Sequence, residues 1–331
     1  MTTTHTVRPP HLADIDEVLH ELPDVALWVE NYLSQAYFPA ERIGVFLHIG
    51  RVSFDQPAWD ELVLVYLPGD RFLAARGFCY GGETPQGPAG PCLTYQCMEP
   101  WRKWRKTFRG PARLVSGDEL RSGGVADGLH VKLSFELIYE AMCPAFELGA
   151  MHEQNWASWH YEQHCAVTGT LSYSDVSVKV NGTGIRDHST GVRDLTGLHN
   201  HIWCHAEWPD GRAFCLMYLA NLDGSGRMNH AAVCDGDSVR YGRLVSAAPL
   251  LDSWDRRGDD YTLTLELDNE TIELVATIGE VGALTIAGPG EIVRGAARGE
   301  GCHHLLSEAM TRFSWEGVVG YGLTERSVLL R

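Results

Sequence analysis

The stretch LHNHIWCHAEWPDGRAFCLMYLAN, residues 198–221, reads as two extended strands around a turn. In a strand, side chains alternate between faces, so His199, His201, Trp203 and His205 share one side while Asn200, Ile202, Cys204 and Ala206 share the other. Pro209-Asp210-Gly211 supplies the turn. A two-residue Asp210-Gly211 turn puts Trp203 opposite Tyr218 and His205 opposite Leu216; a slip of one residue puts Tyr218 opposite Ile202.

The same period of two recurs along the chain in GVFLHIGRV, ELVLVYL, VKLSFELIY, HCAVTGTLSY, VSVKV, YTLTLEL and ETIELVATI. Pro68-Gly69-Asp70, Asp223-Gly224, Asp235-Gly236 and Asp268-Asn269 mark turns between such runs, and together they predict a mainly all-β protein of antiparallel hairpins. A chain of 331 residues exceeds one ordinary core and suggests two units of about 150 residues each. Antiparallel sheets of this extent hide their edges by closing or sandwiching, so two tandem barrel-like domains are expected, divided as 1–185 and 186–331. YLPGDRF (66–72) and EWPDGRAF (207–214) look alike and hint at duplication. The most helical-looking stretch, residues 14–38, is broken by Pro23 and predicts a short N-terminal helical segment.

A net charge of −16 disfavours nucleic acid and anionic lipid as partners. No signal-peptide pattern and no apolar run of membrane-spanning length is seen, which predicts no transmembrane segment. Nine cysteines without a CxxC fit a reducing compartment, read as the cytoplasm. The basic, Trp-containing stretch 101–109 reads as a cation-guarded edge strand, or as a surface that could touch a membrane transiently. Neither a G-x-S-x-G elbow nor a Walker loop is present, and Gly182-x-Gly184 lacks the rest of a dinucleotide fingerprint. The reading therefore calls for no cofactor.

The segment VNGTGIRDHSTGVRD, residues 180–194, sets Arg186, Asp187, His188, Arg193 and Asp194 among glycines. It resembles the G-x-G-x-R-D-H-S-W-G-x-R segment of the carotenoid 1,2-hydratase (hydroxyneurosporene synthase) family, a tandem lipocalin-like group. Gly44–Arg51, Tyr161-Glu162-Gln163 and Gly320–Glu325 resemble further segments of that family. The resemblance implies two calycin-type barrels and an apolar pocket for polyene, terpenoid or polyketide-like molecules, with hydration or cyclisation as the chemistry. In the hydratases the motif's His and Trp and a later Tyr-x-Asp pair are implicated in catalysis. Here Asp187, His188 and Gly191 match, whereas Thr190 stands for the Trp and Ala220 for the Asp after Tyr218. Both departures count against carotenoid hydration itself.

Protonating an alkene needs an acid kept protonated near neutral pH and surroundings that tolerate a cation. Asp187 and His188 are the candidate acid/base pair; Arg186 orients the motif, and Trp203, Tyr218 and His201 line the pocket. The structural alternative makes Arg186, Arg193 and Asp194 an ion-paired corner. The leading reading is an enzyme for hydration, dehydration, isomerisation or cyclisation of a lipophilic small molecule. A non-catalytic carrier of such a molecule is the first alternative. The second is a cupin-like metalloenzyme using His199-x-His201 with Glu207 and a later His. His48 reads as structural, and His303-His304 as a pair pointing to opposite faces. The oligomeric state stays open.

Overall fold

In the computed structural model, the described residues are 7–123, 125–149, 157–192, 198–268, 270–287, 291–294 and 303–330. The first half contributes β1 (Trp28–Phe38), β2 (Ile43–Val52), β3 (Asp55–Leu67), β4 (Arg71–Tyr80), a small β5 (Glu83–Thr84) and β6 (Gly87–Pro88) hairpin, β7 (Leu93–Glu99), β8 (Lys103–Ser116), β9 (Leu129–Ala141), β10 (Trp159–Tyr173) and β11 (Val176–Val192). The second contributes β12 (Leu198–Glu207), β13 (Arg212–Asn221), β14 (Gly226–Asp235), β15 (Ser238–Leu244), β16 (Tyr261–Leu267), β17 (Glu270–Ala287), β18 (Glu291–Arg294), β19 (His303–Trp315) and β20 (Val318–Leu330).

Both sheets are antiparallel and both close. The first runs β4-β3-β2-β1-β11-β10-β9-β8 and returns from β8 to β4, with β7 appended; the second runs β16-β15-β14-β13-β12-β20-β19-β17 and returns from β17 to β16, with β18 appended. Each is an eight-stranded meander in which the first strand of the unit lies between the second and the last. A barrel of this size has an interior that side chains can fill. Tyr32, Val45, Leu47 and Val65 pack inside the first, and Cys204, Phe214, Leu216 and Leu263 inside the second. A third apolar core, including Phe46, Ile185, Trp203, Met217 and Leu323, lies between the barrels. It cements them through an apolar contact, the kind of interface that holds domains in fixed relation.

The divide expected at 185/186 falls inside β11, which keeps its ladder with β1 from Tyr37↔Thr183 to Trp28↔Val192. The hydrogen-bonded strand therefore carries the Gly-rich motif into the first barrel. The helical lead-in is a single 3-10 turn, Asp14–Glu17, and residues 28–38 form β1 instead of a helix. β1 buries both faces, with Tyr32 and Ala36 in the barrel and Asn31 and Gln35 towards the other barrel. That removes the simple in/out alternation by which a strand is read from sequence. Stretch 101–109 is no edge either: β8 pairs with both β7 and β9. Trp104, Lys106 and Phe108 point inward, and Lys103 and Arg105 pair outward with Glu140 and Glu136. Its aromatic residues are therefore not offered to a membrane. No helix among the described residues is long and apolar enough to cross one.

The β12–β13 turn has three residues, because Glu207 pairs with Ala213 and Trp208 N donates to Arg212 O across Pro209-Asp210-Gly211. Gly211, at φ +92°, supplies the left-handed position that such a turn needs. The extra residue shifts the register by one. Tyr218 then lies opposite Ile202, inside the second barrel, and Met217 lies opposite Trp203. The similar-looking β3–β4 hairpin also has a three-residue turn, but it joins the third and fourth strands of its barrel where β12–β13 joins the first and second. The likeness of those two segments is therefore one of turn chemistry, not of duplicated position.

Candidate active site

A cleft opens between the barrels. The first barrel supplies Asn31, Leu33, Phe46, His48, His160 and Asp187; the second supplies His201, Trp203, Met217, Ile286, Leu306 and Glu325. Its empty volume is about 680 Å³ including the mouth, in the range of small-molecule sites. The walls are mostly apolar, with two carboxyl groups, three imidazoles and one amide. No lysine or arginine lines it among the described residues.

Each cleft carboxyl has a second carboxyl directly across a strand ladder, Glu162↔Asp187 on β10–β11 and Glu308↔Glu325 on β19–β20. Burial pushes Glu162 above the usual carboxylate range, against the His160 imidazole and the donors Cys215 Sγ (2.7 Å) and Trp203 Nε1 (2.9 Å). Burial lifts Glu308 much further, and the adjacent Glu325 adds to that. Glu325 is held below its ordinary value despite burial, because His201 Nε2 lies 2.5 Å from its Oε1. Glu308 therefore keeps a proton beside an ionised Glu325, since two carboxylates in contact do not both ionise in a sealed site. Opposite them, His160 Nε2 sits 3.6 Å from Asp187 Oδ2 and 3.8 Å from Glu162 Oε1. Two acid–imidazole stations thus face one another across an apolar space.

The adjacent residues Asp187 and His188 are separated by the strand pleat. Asp187 lines the cleft, while His188 points into the first barrel, stacked on Tyr32 with ring centroids 3.8 Å apart. Its Nε2 lies 3.1 Å from Glu30 Oε1 and its Nδ1 3.3 Å from the Tyr161 hydroxyl. The alternation of a strand's side chains splits this pair. Arg186 is inside as well. It donates to Glu17 (2.9 and 3.0 Å) and to Gln163 Oε1, tying the N-terminal 3-10 turn into the barrel end. Arg193 and Asp194 lie outside the described residues. Trp203 and His201 are in the cleft, Tyr218 is not, and His48 is part of its wall.

The His199-x-His201 metal set does not assemble. Where imidazoles and carboxylates converge among the described residues, the groups are His20/Glu30/His188 and His164/His205/Glu207. Glu207 turns to His164 and His205, and His201 to Glu325.

Glu162, Glu308, Glu325 and His160 escape a motif-by-motif reading, yet a signal for Glu325 is present. GTGIRDHS (182–189) and GYGLTERS (320–327) share the pattern G-x-G-[I/L]-x-[D/E]-x-S, on the last strand of each barrel. A Cβ on Gly184 would meet Gln35 O at 1.9 Å, and one on Gly322 would meet His205 O at 1.9 Å. Asp187 thereby corresponds to Glu325, and Glu162 to Glu308. A repeat search at that spacing finds Glu325, which a search for catalytic words misses; its ladder partner Glu308 follows only from the strand pairing.

Three solved structures share the fold at low identity. An AttH assignment from Nitrosomonas europaea superposes with a TM-score of 0.58 at 15% identity, covering 95% of this chain and 100% of that one. Kievitone hydratase from Nectria haematococca gives 0.53 at 12%, covering 96% and 93%. CghA, in its structure with Sch210972, gives 0.53 at 11%, covering 91% and 88%. These likenesses are of fold, tandem lipocalin-like, and do not single out carotenoid hydratase. No curated protein matches the sequence. A family model described as a domain of unknown function, DUF7064, matches residues 13–328, and the chain belongs to that family.

Proposed function

We propose that the cleft is the active site of a lyase- or isomerase-type enzyme that moves a proton on a small, largely apolar molecule, of isoprenoid, polyene or polyketide-derived character. The observation that carries this reading is the facing of the two carboxyl–imidazole stations, Glu308/Glu325/His201 and Glu162/Asp187/His160. The first station holds one proton and delivers it through Glu325 to the substrate. Asp187, with His160, takes a proton from water or from carbon on the opposite side, so that hydration, dehydration, isomerisation or cyclisation differ only in what the intermediate meets next. Carboxylates and the Trp203 indole favour the positive charge that develops on protonation, and no lysine or arginine among the described residues lines the cleft to oppose it. Apolar walls supply binding at about 25 cal/mol per Å² buried. The likeness in fold to a protein named as a hydratase, kievitone hydratase, supports the same class. The scheme requires no cofactor.

The test is incubation with a panel of polyene, terpenoid and polyketide-derived alkenes in D₂O, with products read by mass spectrometry. Incorporation of solvent deuterium or water that falls by about a hundredfold or more in Glu325→Gln and in Asp187→Asn, with binding retained, is the expected result. Binding without conversion by the unaltered protein identifies a carrier and overturns the proposal, as does turnover indifferent to both substitutions.

A further inference from the structure

In the same interface, beyond the cleft residue Trp203, whose ring centroid lies 5.3 Å from that of His205, His164 of β10 meets His205 and Glu207 of β12, two residues apart on one face of that strand. Glu207 Oε1 lies 2.7 Å from His164 Nδ1 and 2.9 Å from His205 Nδ1. All three side chains are sealed from solvent. Glu207 Oε2 and His164 Nε2 have no hydrogen-bond partner. His205 Nε2–H donates to Gln35 Oε1 at 3.0 Å, which fixes the ring proton on that side. With that nitrogen donating, the Nδ1 that faces the carboxylate oxygen needs a positive partner between them, a second ring proton or a metal ion.

A second cluster shows how the protein answers such a charge elsewhere. His20 Nδ1 and His188 Nε2 approach Glu30 Oε1 at 2.8 and 3.1 Å in the same nitrogen–oxygen–nitrogen arrangement. There Arg51 Nε faces the other Glu30 oxygen at 3.7 Å. No lysine or arginine pairs with Glu207 among the described residues.

We propose that His164 Nδ1, His205 Nδ1 and Glu207 bind one divalent transition-metal ion of the zinc class, joining the two barrels behind the cleft. Two imidazoles and a carboxylate are a donor set such ions take, and an outer N–H held by a carbonyl, as His205 is by Gln35, is the usual support of a metal-bound imidazole. A tetrahedral site with bonds of about 2.0–2.1 Å separates ligand atoms by roughly 3.3 Å, so Glu207 Oε1 parts from each imidazole nitrogen by about half an ångström on loading. The ion's role is to fix one barrel on the other; it takes no part in the proton transfers proposed above.

The experiment is metal analysis of the full-length protein from zinc- and cobalt-supplemented cultures, with visible spectra of the cobalt form and thermal melts with and without chelator. One ion per chain, tetrahedral cobalt bands and a melting temperature lowered by chelator are expected. Glu207→Gln, which keeps an oxygen facing both imidazoles, should weaken metal binding tenfold or more, whereas Glu30→Gln leaves it unchanged. Metal-free protein from both cultures, or metal kept by Glu207→Gln and lost in Glu30→Gln, overturns the proposal. The metal content of the unaltered protein tests the site whether or not either variant folds.

Discussion

Asp187 and Glu325 occupy corresponding positions in the two barrels and line one cleft, each directly across a ladder from a second buried carboxyl, Glu162 or Glu308. An acid pair thus stands on each side of a single apolar space. The consequences for stability and for chemistry can be separated.

Glu308 is the first case. Its folded-state value is raised by burial, so the folded chain holds a proton that the unfolded chain releases near its ordinary value of 4.5. The stability this contributes is complete below that value and is lost as pH rises towards the folded one, at up to about 1.4 kcal/mol per pH unit. Glu308→Gln, neutral at every pH, should leave stability unaltered near pH 4 and raise it at pH 7 and above. Chemical denaturation across that range measures it; parallel pH profiles for the two proteins would contradict a proton held at Glu308.

Trp203 joins wall and support. Its indole N–H bonds Glu162 Oε1 at 2.9 Å. Trp203→Phe keeps an aromatic wall but deprives a sealed carboxyl of a donor, at a cost of about 1–3 kcal/mol. Urea unfolding reads the loss, and a variant as stable as the parent would show that another group satisfies Glu162.

Arg186 and Asp187 are neighbours with opposite duties. Arg186→Met leaves Glu17 ionised and sealed in the barrel end, which should cost about 3–5 kcal/mol. Glu17 is held below 4.5 by Arg186 against its burial, so this stability is present above 4.5 and disappears as pH falls. Asp187→Asn should alter stability far less and turnover far more. Equal stability losses in the two variants would refute that division.

Gly184 and Gly322 test the repeat. At each, a methyl group would stand 1.9 Å from a backbone oxygen of the first strand of its barrel, Gln35 O or His205 O. Neither ladder can yield without moving a central strand, so Gly184→Ala and Gly322→Ala should each cost about 3 kcal/mol. Melting curves decide, and a tolerated alanine at either place would mean that β1 or β12 can shift.

The two-residue period of segments such as VKLSFELIY and YTLTLEL determined the all-β class, because a strand with one face in a barrel core and the other outside writes that alternation into its residues. The tandem arrangement was legible in length and turns. Trp203 and His201 were legible as sharing a strand face; the cleft they enter was not, since its other wall comes from the first barrel, in part from β1 and β2, more than 150 residues away along the chain. β1 reads as helical because both its faces are buried, and Tyr218 is misplaced by a two-residue turn because one additional turn residue changes the face of every residue beyond it.

The sequence by itself determined which residues alternate, where the chain turns, and that Asp187 and Glu325 stand at the same place in two similar segments. Only the tertiary structure decided which face of each strand meets the other barrel. It separated Asp187 from His188, sent Arg186 inward, and brought Glu308, Glu325 and His201 opposite Asp187, Glu162 and His160. The physical reason is that a pleat fixes sides but not neighbours: what a side chain meets depends on how the sheets close and dock, through contacts between residues remote in sequence.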